Sequence, residues 1–406
     1  MLKPQEIFPV QSKPIQKAVL VLLALVAFTL PFKDHFLVNL FIVLVIIVWL
    51  FSNPFKTLFT KRENYGSLLA IVIFYLLHAL SFLYTANIQE SFINLETKVS
   101  LLAFPLIFYT AGYTNTQSKF FLKNFVAGCL LCCVICLVHS TYVSVTEGRN
   151  YFFYQDLSWF QHPSYLSMYI TFCCVTIFRQ ELYGKMLQVI LALFFTLFVL
   201  MLSSKSGILI HVVFLLAYFI TAYLAARNYK RLFLFAGISV LLVISIVVFI
   251  PKVKERFQNV VNVFKSEKID KSATESTAVR ILIWNEATGI IKQHPLLGVS
   301  PGDANTTLYD TYQKNGLTGA YAKKLNTHNE YFQTGVGLGL LGLASLISLF
   351  VLPFFGDKKK LMVFFLLITA VNFFTESMLQ TMAGCIFFGY FYAMLCFENP
   401  KPEITS

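Results

Sequence analysis

THNEYFQTGVGLGLLGLASLISLFVLPFF, residues 327–355, changes character part-way along. From Phe332 to Phe355 the run is apolar and long enough for the ~20 residues of a helix crossing the hydrocarbon core of a bilayer. Ahead of it stands the polar Thr327-His328-Asn329-Glu330-Tyr331-Phe332-Gln333. A histidine is thereby set at a membrane–water boundary, beside hydrogen-bonding neighbours, with a helix beneath to hold it. Histidine exchanges a proton near neutral pH and suits general acid or base work. The same His-Asn pair also suits a plain helix cap.

Working outward, the whole chain repeats the apolar part of that pattern. Of 406 residues, 57% are apolar and 13% charged, and the mean hydropathy is +0.68, which overrules the two or three soluble domains that length alone suggests. The 43 Phe and 20 Tyr suit lipid-facing and interfacial surfaces. Runs able to span a bilayer lie near residues 17–32, 36–52, 66–83, 99–113, 120–144, 163–179, 186–202, 206–226, 231–250, 332–355, 361–375 and 382–397. The expected fold is therefore all-α and polytopic, with about twelve transmembrane helices and one large loop: residues 1–250 for spans one to nine, 251–330 for the loop, and 331–406 for the last three. The fourth and eleventh runs are short, which suits tilted, broken or re-entrant helices. Lys3, Lys13 and Lys17 precede the first run, which lacks a small-x-small cleavage site and reads as a signal anchor.

Charge sets the orientation. With the N-terminus inside, the short inner connections and termini carry seventeen Lys and Arg, against four outside (Lys33, Lys98, Arg149 and Lys205). The net charge of +12 is thus spent on topology; it forms no single basic patch, and a nucleic-acid partner is not expected. The segment 251–330 then falls outside despite its eleven basic residues, because long loops translocate largely regardless of charge. Within it, Ala278–Lys292 has helical periodicity, with Ile281, Trp284, Ala287, Thr288 and Ile291 on one face. His294-Pro295 ends that helix, Gly298, Pro301 and Gly302 follow as turns, and a second helix covers Ala304–Asn315. Such a loop has structure of its own.

All eight cysteines lie in apolar runs. Cys129, Cys132, Cys133 and Cys136 share one helix face, but His139 is their sole nearby ligand type, so they read as small buried hydrophobes and no metal is expected. Several polar residues collect on the outer side: His162 opening the sixth span, Lys205 in Ser203-Ser204-Lys205-Ser206-Gly207, Arg280 opening the loop helix, His328 closing the loop, and Glu376 between the last two spans. Charges at membrane depth are costly unless they face a cavity or a partner. Each also has an ordinary reading: Lys205 snorkelling, Arg280 solvated, His162 starting a helix ahead of Pro163, Glu376 paired with a loop lysine. His78, His139 and His211, inside apolar helices, read as hydrogen-bonded structural residues.

Arg280-Ile281-Leu282-Ile283-Trp284 followed by Pro295-Leu296-Leu297-Gly298-Val299 resembles the R…W…P-L-x-G-x-G signature of the O-antigen ligase/polymerase superfamily. His328-Asn329 matches the His-Asn pair that ends the same loop there, Gly335–Gly342 its Gly-rich helix, and Ser203–Gly207 its S-R-G motif. Agreement is best over residues 195–345. One departure is Lys205 where the family has Arg: the charge is kept but the planar fork that grips phosphate is lost.

The resemblance implies a GT-C-like glycosyltransferase of the bacterial inner membrane that needs no cofactor or metal. It would move a glycan from undecaprenyl diphosphate to a hydroxyl acceptor at the periplasmic face. Arg280 and Lys205 would clamp the diphosphate, His328 would act as base or orienting group, and Asn329, Glu376 and His162 would complete the substrate site. The acceptor implied is lipid A–core or another surface glycan, with membrane lipid around the protein. A polymerase using the same donor, transfer to a protein hydroxyl, and a lipid-glycan flippase or transporter remain as rivals. Transporter sites usually lie near the midplane, whereas these residues gather at one boundary.

Overall fold

A computed structural model of the chain describes residues 13–32, 35–52, 64–225, 270–274, 277–355 and 360–398, with residues 7, 58, 227, 230 and 237. Among them every regular element is a helix. In chain order these are α1 (Pro14–Thr29), α2 (His35–Leu50), α3 (Tyr65–Leu80), α4 (Ile88–Thr97), α5 (Val99–Ala111), α6 (Asn115–Glu147), α7 (Pro163–Arg179), α8 (Lys185–Leu202) and α9 (Lys205–Ala225). After the undescribed stretch come α10 (Thr277–Gln293), α11 (Ala304–Lys314), α12 (Thr318–Ala322), α13 (Glu330–Val351), α14 (Lys360–Thr375) and α15 (Met382–Cys396). The ninth expected span, 231–250, and the first part of the loop lie outside the described residues.

Among the described residues, five helical stretches are long and apolar enough to cross a membrane: Tyr65–Leu83, Ile88–Ala111, Asn115–Glu147, Lys185–Leu202 and Glu330–Phe355. Shorter apolar helices accompany them at α1, α2, α9, α14 and α15. On α8, Met186, Leu193 and Leu197 stand exposed while Phe195 and Val199 are buried, the arrangement of a membrane helix with one face to lipid. The expected fourth span, 99–113, is longer than its apolar run because α4 continues it back to Ile88, with a break at Lys98.

The centre of the bundle is α7. Every residue from Pro163 to Ile177 is buried, because α6, α8, α9 and α14 all pack on it. Ser167 Oγ donates to Pro163 O at 2.7 Å and Thr171 Oγ1 pairs with His211 Nδ1 at 3.0 Å, while Thr176 Oγ1 is buried with no partner among the described residues. Thr196 Oγ1 occupies the other nitrogen of His211, and His78 Nδ1 bonds Phe74 O, so both histidines are structural. His139 differs from expectation: it stacks on Trp159 at 4.2 Å and 8°, and its Nδ1 has no hydrogen-bond partner among the described residues. Gly207 lets α9 approach α7, since a Cβ there would lie 2.5 Å from Ser167 Oγ.

The described part of the loop has its own small core. Val279, Ile283, Ala287 and Ile290 of α10 meet Ala304, Leu308 and Tyr312 of α11, with Leu317, Ala320 and Val336. Of the expected face, Ala287 lies in this core and Trp284 and Ile291 pack partly buried against it, Trp284 also edge-on to Phe374 of α14, while Val279, Ile283 and Ile290 carry the buried stripe in place of Ile281. This unit is docked by a break in α13. Gly339 leaves the helix at φ 63° and ψ −156°, a backbone region that L side chains rarely adopt. The freed carbonyls of Val336 and Gly337 accept from Val299 N and Ser300 N at 2.9 and 3.0 Å, while Leu340 N donates to Pro295 O at 2.8 Å. The fit leaves no room for side chains: a Cβ on Gly298 would lie 2.5 Å from Val336 O, and one on Gly339 equally close to Leu296 O. Gly337 and Gly339 therefore receive the loop backbone, while Gly335 admits Ile291 of α10.

Asp303 fastens the same loop to the turn before α4. Its carboxylate accepts from Ala86 N (2.8 Å), Asn87 N (2.9 Å), Thr85 Oγ1 (3.0 Å) and Ser300 Oγ (2.7 Å). Burial raises its pKa, but these donors outweigh it and hold the carboxyl below its ordinary value.

Candidate active site

Glu376 closes α14 in the short turn before α15, where burial and opposing cations meet. Its side chain is 9% exposed and lies between two of the residues the sequence singled out. Arg280 Nη2 donates to Oε1 at 3.2 Å, and Arg280 Nη1 to Thr375 O at 2.7 Å. His328 Nδ1 meets Oε2 at 3.2 Å. Ser164 Oγ donates to Oε1 at 3.3 Å and stands 3.4 Å from Ser204 Oγ, which is itself 3.4 Å from Ser206 Oγ. A line of hydroxyls therefore runs from the carboxylate to the first turn of α9, where half-buried Lys205 begins that helix.

The electrostatics follow from this packing. Burial pushes the Glu376 carboxyl up, but the His328 hydrogen bond and the charges of Arg280, His328 and His162 outweigh it, so the pKa falls below the ordinary 4.5. An ionised carboxylate only accepts, so His328 presents N–H at Nδ1, and no described residue bonds its Nε2. The side chains of Arg280 and His328 remain 30% and 29% exposed.

The backbone at His328 is shaped for this. His328 sits at φ 46°, in the left-handed region, which costs a non-glycine residue on the order of 1 kcal/mol. Its neighbours hold it there: Asn326 Oδ1 accepts His328 N at 2.9 Å, and Trp284 Nε1 donates to Thr327 O at 2.9 Å. Thr327 Oγ1 spans Gln333 Oε1 and Ser377 Oγ at 3.0 and 3.1 Å. The Trp284 ring is stacked on Phe332 and edge-on to Phe374, tying α10, α13 and α14 together under the site.

The structure thus brings together Arg280, His328 and Glu376, with His162 close enough to bear on Glu376. Glu376 pairs with Arg280 and His328, not with a loop lysine. Asn329 stands apart from the substrate-binding role expected of it. It is 1% exposed, its Oδ1 accepts from Tyr331 N and Phe332 N, and its Nδ2 donates to Phe374 O. Its amide caps α13 and positions the preceding histidine.

Glu330 is not among the residues the sequence pattern marks, yet it is buried and anchors the turn after Glu376. Oε2 accepts Leu379 N at 2.7 Å, and Oε1 accepts Thr334 Oγ1 and Gln380 Nε2. Beneath it Lys98 is fully buried, with Nζ donating to Asn94 Oδ1 at 3.1 Å. An acidic residue directly after the His-Asn pair, at the start of an apolar run, was the available signal. Among the described residues no group of three or more His, Cys, Asp or Glu side chains is arranged to hold a metal.

A family model described as O-Antigen ligase matches residues 191–347. The match includes Lys205, Arg280 and His328 and excludes His162 and Glu376. No curated protein matches the chain.

Proposed function

We propose, on the premise of the O-antigen ligase superfamily that the match over residues 191–347 supports, that this membrane protein transfers a glycan from undecaprenyl diphosphate to a hydroxyl on lipid A–core at the periplasmic face of the inner membrane. Glycan transfer of the ligase or polymerase type is what the family supports; donor, acceptor, side and metal independence are our reading. The observation that carries it is the Arg280–Glu376–His328 constellation at the loop end of an apolar bundle.

The acceptor hydroxyl attacks the anomeric carbon from the face opposite the diphosphate. A C–O bond forms, the anomeric carbon–phosphate oxygen bond breaks, and its electron pair leaves on the diphosphate with inversion at carbon. His328 Nε2 takes the hydroxyl proton, and the Glu376 carboxylate stabilises the resulting imidazolium. Arg280 retains donors beyond those given to Glu376 and Thr375, and with Lys205 it offsets charge growing on the leaving group. Two fixed cations can do this electrostatic work without a metal. Lys205 contributes a point charge rather than a bidentate grip.

Purified protein in nanodiscs, given undecaprenyl-diphosphate glycan and lipid A–core in EDTA, tests this directly. The expected product is glycosylated lipid A–core with inverted linkage. Product formed only on a second carrier-linked glycan would mean a polymerase, and retained configuration or an absolute metal requirement would refute the mechanism.

A further inference from the structure

Beside the Glu376 group lies a second feature that the transfer chemistry does not use. A cleft of about 400 Å³ opens between residues 155–165 and the start of α15, within the ~300–1,000 Å³ typical of small-molecule sites. It shares a wall with the active site: Ser164 turns to Glu376 while its neighbours His162, Pro163 and Tyr165 line the cleft. Across from them, Thr381 Oγ1 donates to Tyr165 Oη at 3.2 Å.

Trp159 gives the cleft its character. Trp159 is 48% exposed, although a tryptophan in an apolar bundle could be buried. The His139 ring backs it at 4.2 Å, nearly parallel, and Phe160 braces it at 4.9 Å. It is therefore a fixed aromatic surface that lines an open space. Gln155, Gln161 and Thr381 supply amide and hydroxyl groups, and no Lys or Arg is among the described residues of the lining.

That chemistry discriminates among ligands. A diphosphate needs fixed cations, and neither Arg280 nor Lys205 is among the described residues of the lining. A polyprenyl chain needs no amides. A pyranose needs both parts, because its C–H face is apolar and its hydroxyls both donate and accept. We propose that this cleft binds a sugar ring of the glycan substrates, with Trp159 stacked on its C–H face and Gln155, Gln161 and Thr381 reaching its hydroxyls. The proposal rests on the glycan-transfer reading and names where that reading holds its carbohydrate.

Saturation-transfer NMR on nanodisc-held protein tests it with three probes: core oligosaccharide released by mild acid from the host's lipopolysaccharide, oligosaccharide released from the lipid-linked donor, and sugar-free undecaprenyl diphosphate. One of the oligosaccharides should bind, identifying the acceptor or the donor as the source. Trp159→Leu should weaken that binding at least tenfold, Trp159→Phe should retain most of it, and Gln155→Ala, on the exposed rim, should weaken it several-fold in a folded protein. In the transfer assay Trp159→Leu should raise KM for the same substrate and leave kcat unchanged. No oligosaccharide binding by the wild type, equal binding by Trp159→Leu, or a Trp159-dependent signal from the sugar-free lipid alone would each overturn the proposal. Wild-type transfer separates the two ideas: absent transfer sinks the glycosyltransferase reading, whereas normal transfer with an indifferent Trp159 sinks the cleft alone.

Discussion

Replacing Glu376 by Gln keeps the size of the side chain and removes its charge. Two contacts then change, from Arg280 Nη2 and from His328 Nδ1, both at 3.2 Å. Hydrogen bonds to charged groups contribute about 1.5–3 kcal/mol and neutral ones about 0.5–1.5, so two such changes remove roughly 2–3 kcal/mol. Both partners, Arg280 and His328, are partly solvated, which favours the lower figure. A carboxamide can also offer N–H to His328 Nδ1, shifting the imidazole proton to Nε2, where the acceptor hydroxyl must deliver its own. The transfer rate should fall by about 30- to 200-fold, measured as initial rates on nanodisc-held protein of matched thermal stability. Stability should change with pH in a definite sense. A carboxyl with a depressed pKa in the folded state stabilises above the ordinary 4.5 and loses that contribution as pH drops through its folded value. The wild-type Tm should therefore fall more steeply below about pH 4.5 than that of Glu376→Gln. A variant within threefold of the wild-type rate, with the same acid profile, would refute the role given to Glu376.

Two further predictions concern the loop. Gly339→Ala puts a Cβ 2.5 Å from Leu296 O at a φ of 63°, and strain plus overpacking should lower stability by at least about 2 kcal/mol, read as a drop in Tm with loss of transfer. Asp303→Ala leaves two backbone N–H groups and two hydroxyls without their acceptor, at a cost of about 2–4 kcal/mol. Hydrogen exchange should rise at residues 85–91 and 298–304 while α6 and α7 stay protected; unchanged exchange would contradict the docking role.

How much of this was legible in sequence depends on the interaction involved. Apolar runs announce helices because lipid permits little else, so α3, α6, α8 and α13 were readable from composition. Arg280, His328 and Glu376 were readable one by one, since charge beside an apolar run is conspicuous. Their convergence was not, because 96 residues separate Arg280 from Glu376 and the pairing is set by how α10 docks on α13 and α14. The docking was hidden too: Gly335–Gly342 reads equally as a helix–helix contact, and only the turn at Gly339 shows that backbone from 295–300 inserts there. Periodicity placed α10 and put Ala287 on its buried face but missed Val279, Ile283 and Ile290, since a helix packed on both α11 and α13 has more than one apolar stripe. Asp303 and Glu330 gave faint signals, because a carboxylate serving backbone N–H groups looks in sequence like a solvated one.

The central claim is that His328 performs the transfer. His328→Ala in a knockout of the native host, with membrane expression confirmed, tests it on a gel of surface polysaccharide and on extracted carrier lipid. The account predicts acceptor without glycan, and full-length glycan accumulating on the carrier. Unchanged surface glycan at normal expression would contradict it.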